Sequence, residues 1–253
     1  GRLRDKILSP LMIGTIERTT LPPYNAIRRL LGLAELKKAD DLYLTPPLLL
    51  LLTTEPFEYP RSDWPTNITL VGPCDWDPDE REPEWLSEID RPIVLVTTSS
   101  EYQADEKLVQ ITLDALENED LFVIVTAPSA EIESFRVPAN ARVEKFLSHG
   151  AVLNRAVCAI THGGMGATQK ALARGVPVCA VPFGRDQFEV ARRVEVSKAG
   201  TRLPAKRLTP ERLKAKVFEA ISKTDGARKV ATAYLSAGGS VAASDAIEKM
   251  LEK

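Results

Sequence analysis

The chain has 253 residues, of which 44% are hydrophobic, enough apolar side chain for one large or two modest globular domains. Its net charge is −2, with acids and bases interspersed and no basic stripe, so nucleic acid is not an expected partner. The longest apolar run, residues 48–52, is far too short to span a bilayer, and no CxxC spacing suggests zinc. Three cysteines, Cys74, Cys158 and Cys179, read as reduced thiols of a cytoplasmic protein, two of them in buried strands. The first residues, Gly1-Arg2, carry no initiator Met and read as a cut or processed end.

In chain order, residues 1–35 show two helical patterns. Leu3, Ile7, Leu8 and Leu11 share one face and Ile27, Leu30 and Leu31 another, with Pro22 and Pro23 expected to separate them. "LLLLLTTEP" (48–56) and "NITLVGP" (67–73) each read as a strand. "PCDWDPDEREPEW" (73–85) is dense in Pro and acid and has no period, which predicts a solvated linker. Asp75, Asp77 and Asp79 superficially resemble a calcium loop. They lack the glycine such a loop needs, and Pro78 stiffens the middle.

A regular alternation follows. "IVLVTTS" (93–99), "LFVIVTA" (121–127), "ARVEKF" (141–146), "AVCAIT" (156–161) and "PVCAVP" (177–182) read as strands, with helical spacing over 102–116 and between the later strands. Strands apolar on every residue and separated by helices predict a parallel sheet covered on both faces. This is the α/β, Rossmann-like doubly wound class, spanning about residues 92–240. Two or three further helices close the chain from Thr209 onward.

Ligands of such sheets bind at the carboxyl ends of the strands. There "THGGMGATQK" places His162 one residue past a strand and Gly163, Gly164 and Gly166 at the start of a helix. Unpaired first-turn amides and the positive end of the helix dipole form a phosphate cradle, and glycines let a bulky anion approach. An adjoining histidine can donate to a phosphate oxygen. Tight packing alone also produces Gly-rich turns. Downstream, "VPFGRDQFEVARR" brings Asp186 and Gln187 to the next strand end. A carboxylate and an amide side by side suit vicinal hydroxyls, although an Asp there also suits an N-cap. Phe146, which ends its strand, is placed to stack on a base or to join the core, and His149 lies in the loop after it.

Together "FLSHGAVL", "THGGMGATQKALARGVPVCAVP" and "GRDQFEVARRVEVSKAGTRL" resemble the signature block of the family 1 glycosyltransferases of GT-B fold, in particular bacterial enzymes of the macrolide glycosyltransferase type. The likeness covers roughly residues 90–240. It implies a tail of the N-terminal acceptor domain (1–72), an interdomain linker (73–91), a nucleotide-sugar donor-binding domain (92–240) and a C-terminal helix (241–253) packing back on the N-terminal domain. It further implies Phe146 and Leu147 at the base, His149 at base and ribose, and His162 on the diphosphate with the backbone of Gly163, Gly164, Gly166 and Ala167. Asp186 and Gln187 would then hold sugar hydroxyls, with Ser99 and Ser100 facing the phosphates.

Departures from that pattern are visible. Ala167 stands where many relatives have Ser or Thr, which leaves Thr168 as the substitute hydroxyl. Lys170 stands where some hold the ribose with Glu, and lysine cannot accept from hydroxyls. The histidine base of the acceptor domain has no counterpart. The implied activity is transfer of a hexose from a UDP- or TDP-sugar, with inversion, to a hydroxyl of a hydrophobic small-molecule or glycolipid acceptor. No cofactor or metal and no transmembrane segment are expected. A nucleotide-sugar binding module without turnover, a sugar-nucleotide epimerase and an NAD-binding domain are the alternatives. The last requires a third glycine where Gln169 stands.

Overall fold

A computed structural model of the chain describes residues 2–78, 82–99 and 106–252. Ser100 and Asp79 lie outside the described residues. The chain forms two compact units, one of Gly1–Leu50, Ser62–Thr69 and Ala246–Lys253, the other of Leu51–Arg61 and Leu70–Asp245.

The first unit is dominated by α1 (Arg2–Leu30), followed by the short α2 (Asp41–Leu44). The expected break at Pro22 and Pro23 does not occur: α1 runs through Pro10, Pro22 and Pro23. Each interior proline removes a donor and crowds the carbonyl four residues back, so the pair weakens the helix at this point without ending it. Downstream the helix is anchored by Asn25, whose Nδ2 donates to the Leu36 carbonyl at 2.9 Å and whose Oδ1 accepts from the Leu36 N–H at 2.8 Å. A two-stranded ribbon, β1 (Leu49–Leu51) with β2 (Ile68–Leu70), follows.

In the second unit the short α3 (Glu84–Ser87) leads into β3 (Ile93–Thr97), α4 (Glu106–Leu116), β4 (Phe122–Thr126), β5 (Ala141–Glu144), α5 (His149–Leu153) and β6 (Ala156–Thr161). Then come α6 (Met165–Ala173), β7 (Val178–Ala180), α7 (Gln187–Val196), β8 (Gly200–Arg202), α8 (Pro210–Ile221) and α9 (Thr224–Ala237), and last α10 (Gly239–Leu251), whose residues from Ala246 on belong to the first unit. The six strands form one parallel sheet in the order β5-β4-β3-β6-β7-β8. This is the doubly wound class expected from the apolar runs.

Period-2 alternation divides the sheet's side chains between two cores. Ile93, Leu95, Ala159 and Val178 pack with α5, α6, α7 and α9. Val94, Val96, Cys158, Ile160 and Cys179 pack with α4 and α8. Cys158 and Cys179 are thus core residues; burial raises both thiols, Cys179 to about 11. The strand order reverses between β3 and β6, so the crevice for a ligand opens beyond Thr97 and Thr161.

The segment Leu51–Arg61 is built into this unit. Phe57 is 1% exposed and meets Tyr234 edge-on, with ring centroids 6.1 Å apart. Glu58 pairs with Arg193 of α7 at 3.0 Å. Gln169 is buried and donates to the Leu52 carbonyl at 2.6 Å, a packing role that a fingerprint glycine could not fill.

Candidate nucleotide site at the sheet edge

β6 ends at Thr161, and the chain turns through His162 and Gly163 before α6 begins. Gly163 adopts φ +87°, and a Cβ there would lie 3.0 Å from the Gln187 carbonyl oxygen, so both backbone sign and space require glycine. The turn is fixed by the Gly163 N–H donating to Thr161 Oγ1 at 3.1 Å. Gly164 is the N-cap of α6, and a Cβ on it would lie 2.5 Å from His162 Nε2. The imidazole therefore rests against the helix start. Gly166 differs: a Cβ there would meet nothing within 4 Å, so no protein contact demands this glycine. The Thr168 N–H makes the bond back to the Gly164 carbonyl at 3.2 Å. The amides of Met165, Gly166 and Ala167 precede it, at the positive end of the helix.

Two cavities meet at this edge. One of about 350 Å³ borders Gly166, Ala167, Gln169 and Lys170. The other, of about 530 Å³, is bordered by Phe146, Leu147, Thr98 and Thr126. Trp76, His149 and Lys170 line both. Phe146 is 61% exposed, whereas Leu147 is buried. His149 is the first residue of α5 and not a loop residue, and its Nε2 lies 2.9 Å from Thr126 Oγ1. Burial first, and then the Lys170 charge, lower its pKa to about 4 despite nearby Asp77, so the ring is neutral at pH 7. Ser99 is buried two residues beyond β3, its carbonyl accepting from Ser129 Oγ at 3.3 Å.

Other sequence expectations are corrected by the packing. Thr168 does not offer its hydroxyl to the crevice: it is fully buried, 3.3 Å from Thr161 Oγ1. The side-chain carbonyl of Gln187 is committed to its own loop, accepting from the N–H groups of Phe183 (2.8 Å) and Gly184 (3.0 Å). Asp186 occupies the N-cap position of α7 but is exposed and makes no side-chain cap. Beside it Arg185 takes φ +53°, a left-handed conformation that costs a non-glycine residue about 1 kcal/mol or more.

The linker is not a solvated acidic run where it meets α6. Asp77 accepts from Lys170 Nζ at 2.6 Å and from Arg174 at 2.9 Å, and Asp75 pairs with Arg174 at 2.5 Å. Burial raises the Asp77 pKa, but the Lys170 hydrogen bond, the Lys170 and Arg174 charges and the Gly150 amide outweigh it and hold the carboxyl below its usual value. Lys170 also donates to the Trp76 carbonyl at 2.7 Å. Trp76, Asp77 and Thr126 line the same cavity as Phe146, a grouping that the sequence reading does not anticipate. The alternation Asp75-Trp76-Asp77 was the available signal.

A parallel sheet in this order, with a glycine-opened helix and an aromatic-lined cavity at its switch point, defines a Rossmann-like doubly wound domain. The chain belongs to the family described as "Erythromycin biosynthesis protein CIII-like, C-terminal domain", whose model matches residues 110–248. It is 37% identical over 215 residues to the 4'-demethylrebeccamycin synthase of Lentzea aerocolonigenes, covering 83% of this chain and 51% of that protein. It is 34% identical to a PGL/p-HBAD biosynthesis glycosyltransferase of Mycobacterium tuberculosis, over 84% of this chain and 50% of that one. The chain thus spans about half the length of the curated relatives it matches. Among solved structures, the glycotransferase of kitacinnamycin aligns with a TM-score of 0.80 at 22% identity, over 98% of this chain and 67% of that one. The glycosyltransferase VinC, solved in complex with dTDP, aligns with a TM-score of 0.61 at 21% identity, over 78% of this chain and 49% of that one. The fold is that of GT-B glycosyltransferases, with the sheet as their C-terminal Rossmann-like domain. Among the described residues no helix is long and apolar enough to cross a membrane.

Proposed function

We propose that the chain is the donor-binding part of an inverting, metal-independent glycosyltransferase that moves a hexose from a UDP- or TDP-sugar to a hydroxyl of a hydrophobic small-molecule or glycolipid acceptor. The observation that carries this reading is the start of α6. There Gly166 faces open space, Gly164 makes room for the His162 ring, and the first-turn amides border a cavity. In this reading the diphosphate lies along Gly164, Gly166 and Ala167 with His162 beside it, the base lies against Phe146 and Leu147, and Asp186 accepts from a sugar hydroxyl. The dTDP in VinC, a protein of the same fold, supports a pyrimidine nucleotide.

The acceptor hydroxyl attacks the anomeric carbon, and the bond from that carbon to the diphosphate oxygen breaks. The leaving diphosphate keeps the electron pair and is stabilised by the helix amides and His162, while the acceptor's proton passes to a base outside this cluster. The exposed thiol of Cys74 fits a reducing, cytoplasmic setting.

Titration calorimetry with UDP and TDP tests this. His162→Ala should weaken binding by about 1–3 kcal/mol, the worth of a charge-assisted hydrogen bond. Equal affinity in wild type and variant removes His162 from the site, and absence of binding to wild type overturns the reading. A transfer assay with an added acceptor then separates a competent enzyme from a binding module.

A further inference from the structure

We infer that Trp76 is the second wall of the nucleobase site, closing it opposite Phe146 so that the base is held between two aromatic faces. This rests on the donor-site reading above. Both rings border the same 530 Å³ cavity, and both are largely uncovered by protein, Trp76 at 74% and Phe146 at 61% exposure. A large aromatic left so exposed costs contact with water, and a planar heteroaromatic ligand would cover both faces at once.

The linker chemistry explains why Trp76 stays there. Asp75 and Asp77 are both held by Arg174, and Asp77 also by Lys170. Pinning the residues on either side to α6 fixes the stretch of backbone that carries Trp76. The Trp76 carbonyl is fixed in addition by Lys170 Nζ. Lys170 and Arg174 are therefore positioning residues: they hold an aromatic wall in its working place before the ligand arrives, which lowers the ordering cost of binding. Lys170, which is unable to accept from ribose hydroxyls, has this role instead.

The experiment uses the full chain with UDP and TDP, read by calorimetry and by tryptophan fluorescence, with circular dichroism confirming that each variant is folded. Nucleotide should quench the wild-type emission. Trp76→Ala should bind about tenfold more weakly, in the range that base–aromatic stacking supplies. Trp76→Phe should restore affinity to within about threefold while abolishing the quench. Asp77→Asn should weaken binding less than Trp76→Ala does. If Trp76→Ala binds as wild type does while His162→Ala has lost affinity, the aromatic wall is overturned and the donor site stands. A loss that Phe does not restore also overturns it, because the ring would then be supporting the chain and not stacking. If wild type binds neither nucleotide, both readings fall.

Discussion

At Gly164 and Gly166, two residues apart, the reason for glycine differs. A Cβ on Gly164 would collide with the His162 ring, so its absence serves the protein's own packing. A Cβ on Gly166 would point into open space, so no protein contact requires its absence. Gly166→Ala therefore separates folding from binding. Alanine is favoured over glycine in a helix by about 0.5–1 kcal/mol, so the variant should melt at a higher temperature than wild type. Its methyl should at the same time obstruct an anion approaching the helix start and weaken UDP and TDP severalfold. A variant that is stabilised yet binds normally would show that the ligand does not come close to Gly166.

At the scale of elements, the segment Leu51–Arg61 acts as a plug in the α6–α7–α9 face of the sheet domain. Phe57 contributes a fully buried ring to that core, and Glu58 and Tyr59 both engage Arg193, the latter with its ring 4.9 Å from the guanidinium carbon. Phe57→Ala should cost about 3–5 kcal/mol, as removal of a buried aromatic does. Urea denaturation should record it as a lower midpoint for the whole sheet domain. A loss under 1 kcal/mol would mean that the plug is dispensable. The neighbouring linker behaves similarly, since Asp77 covers the start of α5: a Cβ on Gly150 would lie 2.5 Å from its Oδ2.

For the whole molecule, stability should depend on pH through His149. Its folded pKa is lowered to about 4, against about 6.5 in an unfolded chain. Between these values the unfolded state binds a proton that the native state does not, so stability is full above about pH 6.5 and falls as pH drops towards 4. The loss approaches about 3 kcal/mol. The lowered Asp77 carboxyl adds a further loss only as pH falls below its ordinary value. Urea midpoints at pH 7.5 and 5.0 should therefore differ more for wild type than for His149→Gln; equal differences would mean that the imidazole is not buried neutral.

The sheet was legible because each of its central strands is apolar on both faces, a pattern few other structures produce. The glycine-opened turn at His162 was legible because strand, turn and helix are contiguous in sequence. What escaped depended on partners remote in the chain. Asp77 meets Lys170 and Arg174 more than ninety residues away, and composition alone made it look solvated. Gln187 escaped for a local reason: its carbonyl turns back on the loop that carries it. α1 continues through its proline pair although each proline disfavours an interior helical position, so the local rule that ends a helix at proline did not hold there.

The pairing of Asp75 and Asp77 with α6 bears on any exchange of halves between this chain and its relatives. A junction at residue 92, where the sheet begins, would separate Lys170 and Arg174 from Asp75 and Asp77, and the α6–α7–α9 core from Phe57. Splicing ahead of Leu51 would carry plug, linker and sheet together, so the stretch to be moved as one begins some forty residues before the first strand of the six-stranded sheet.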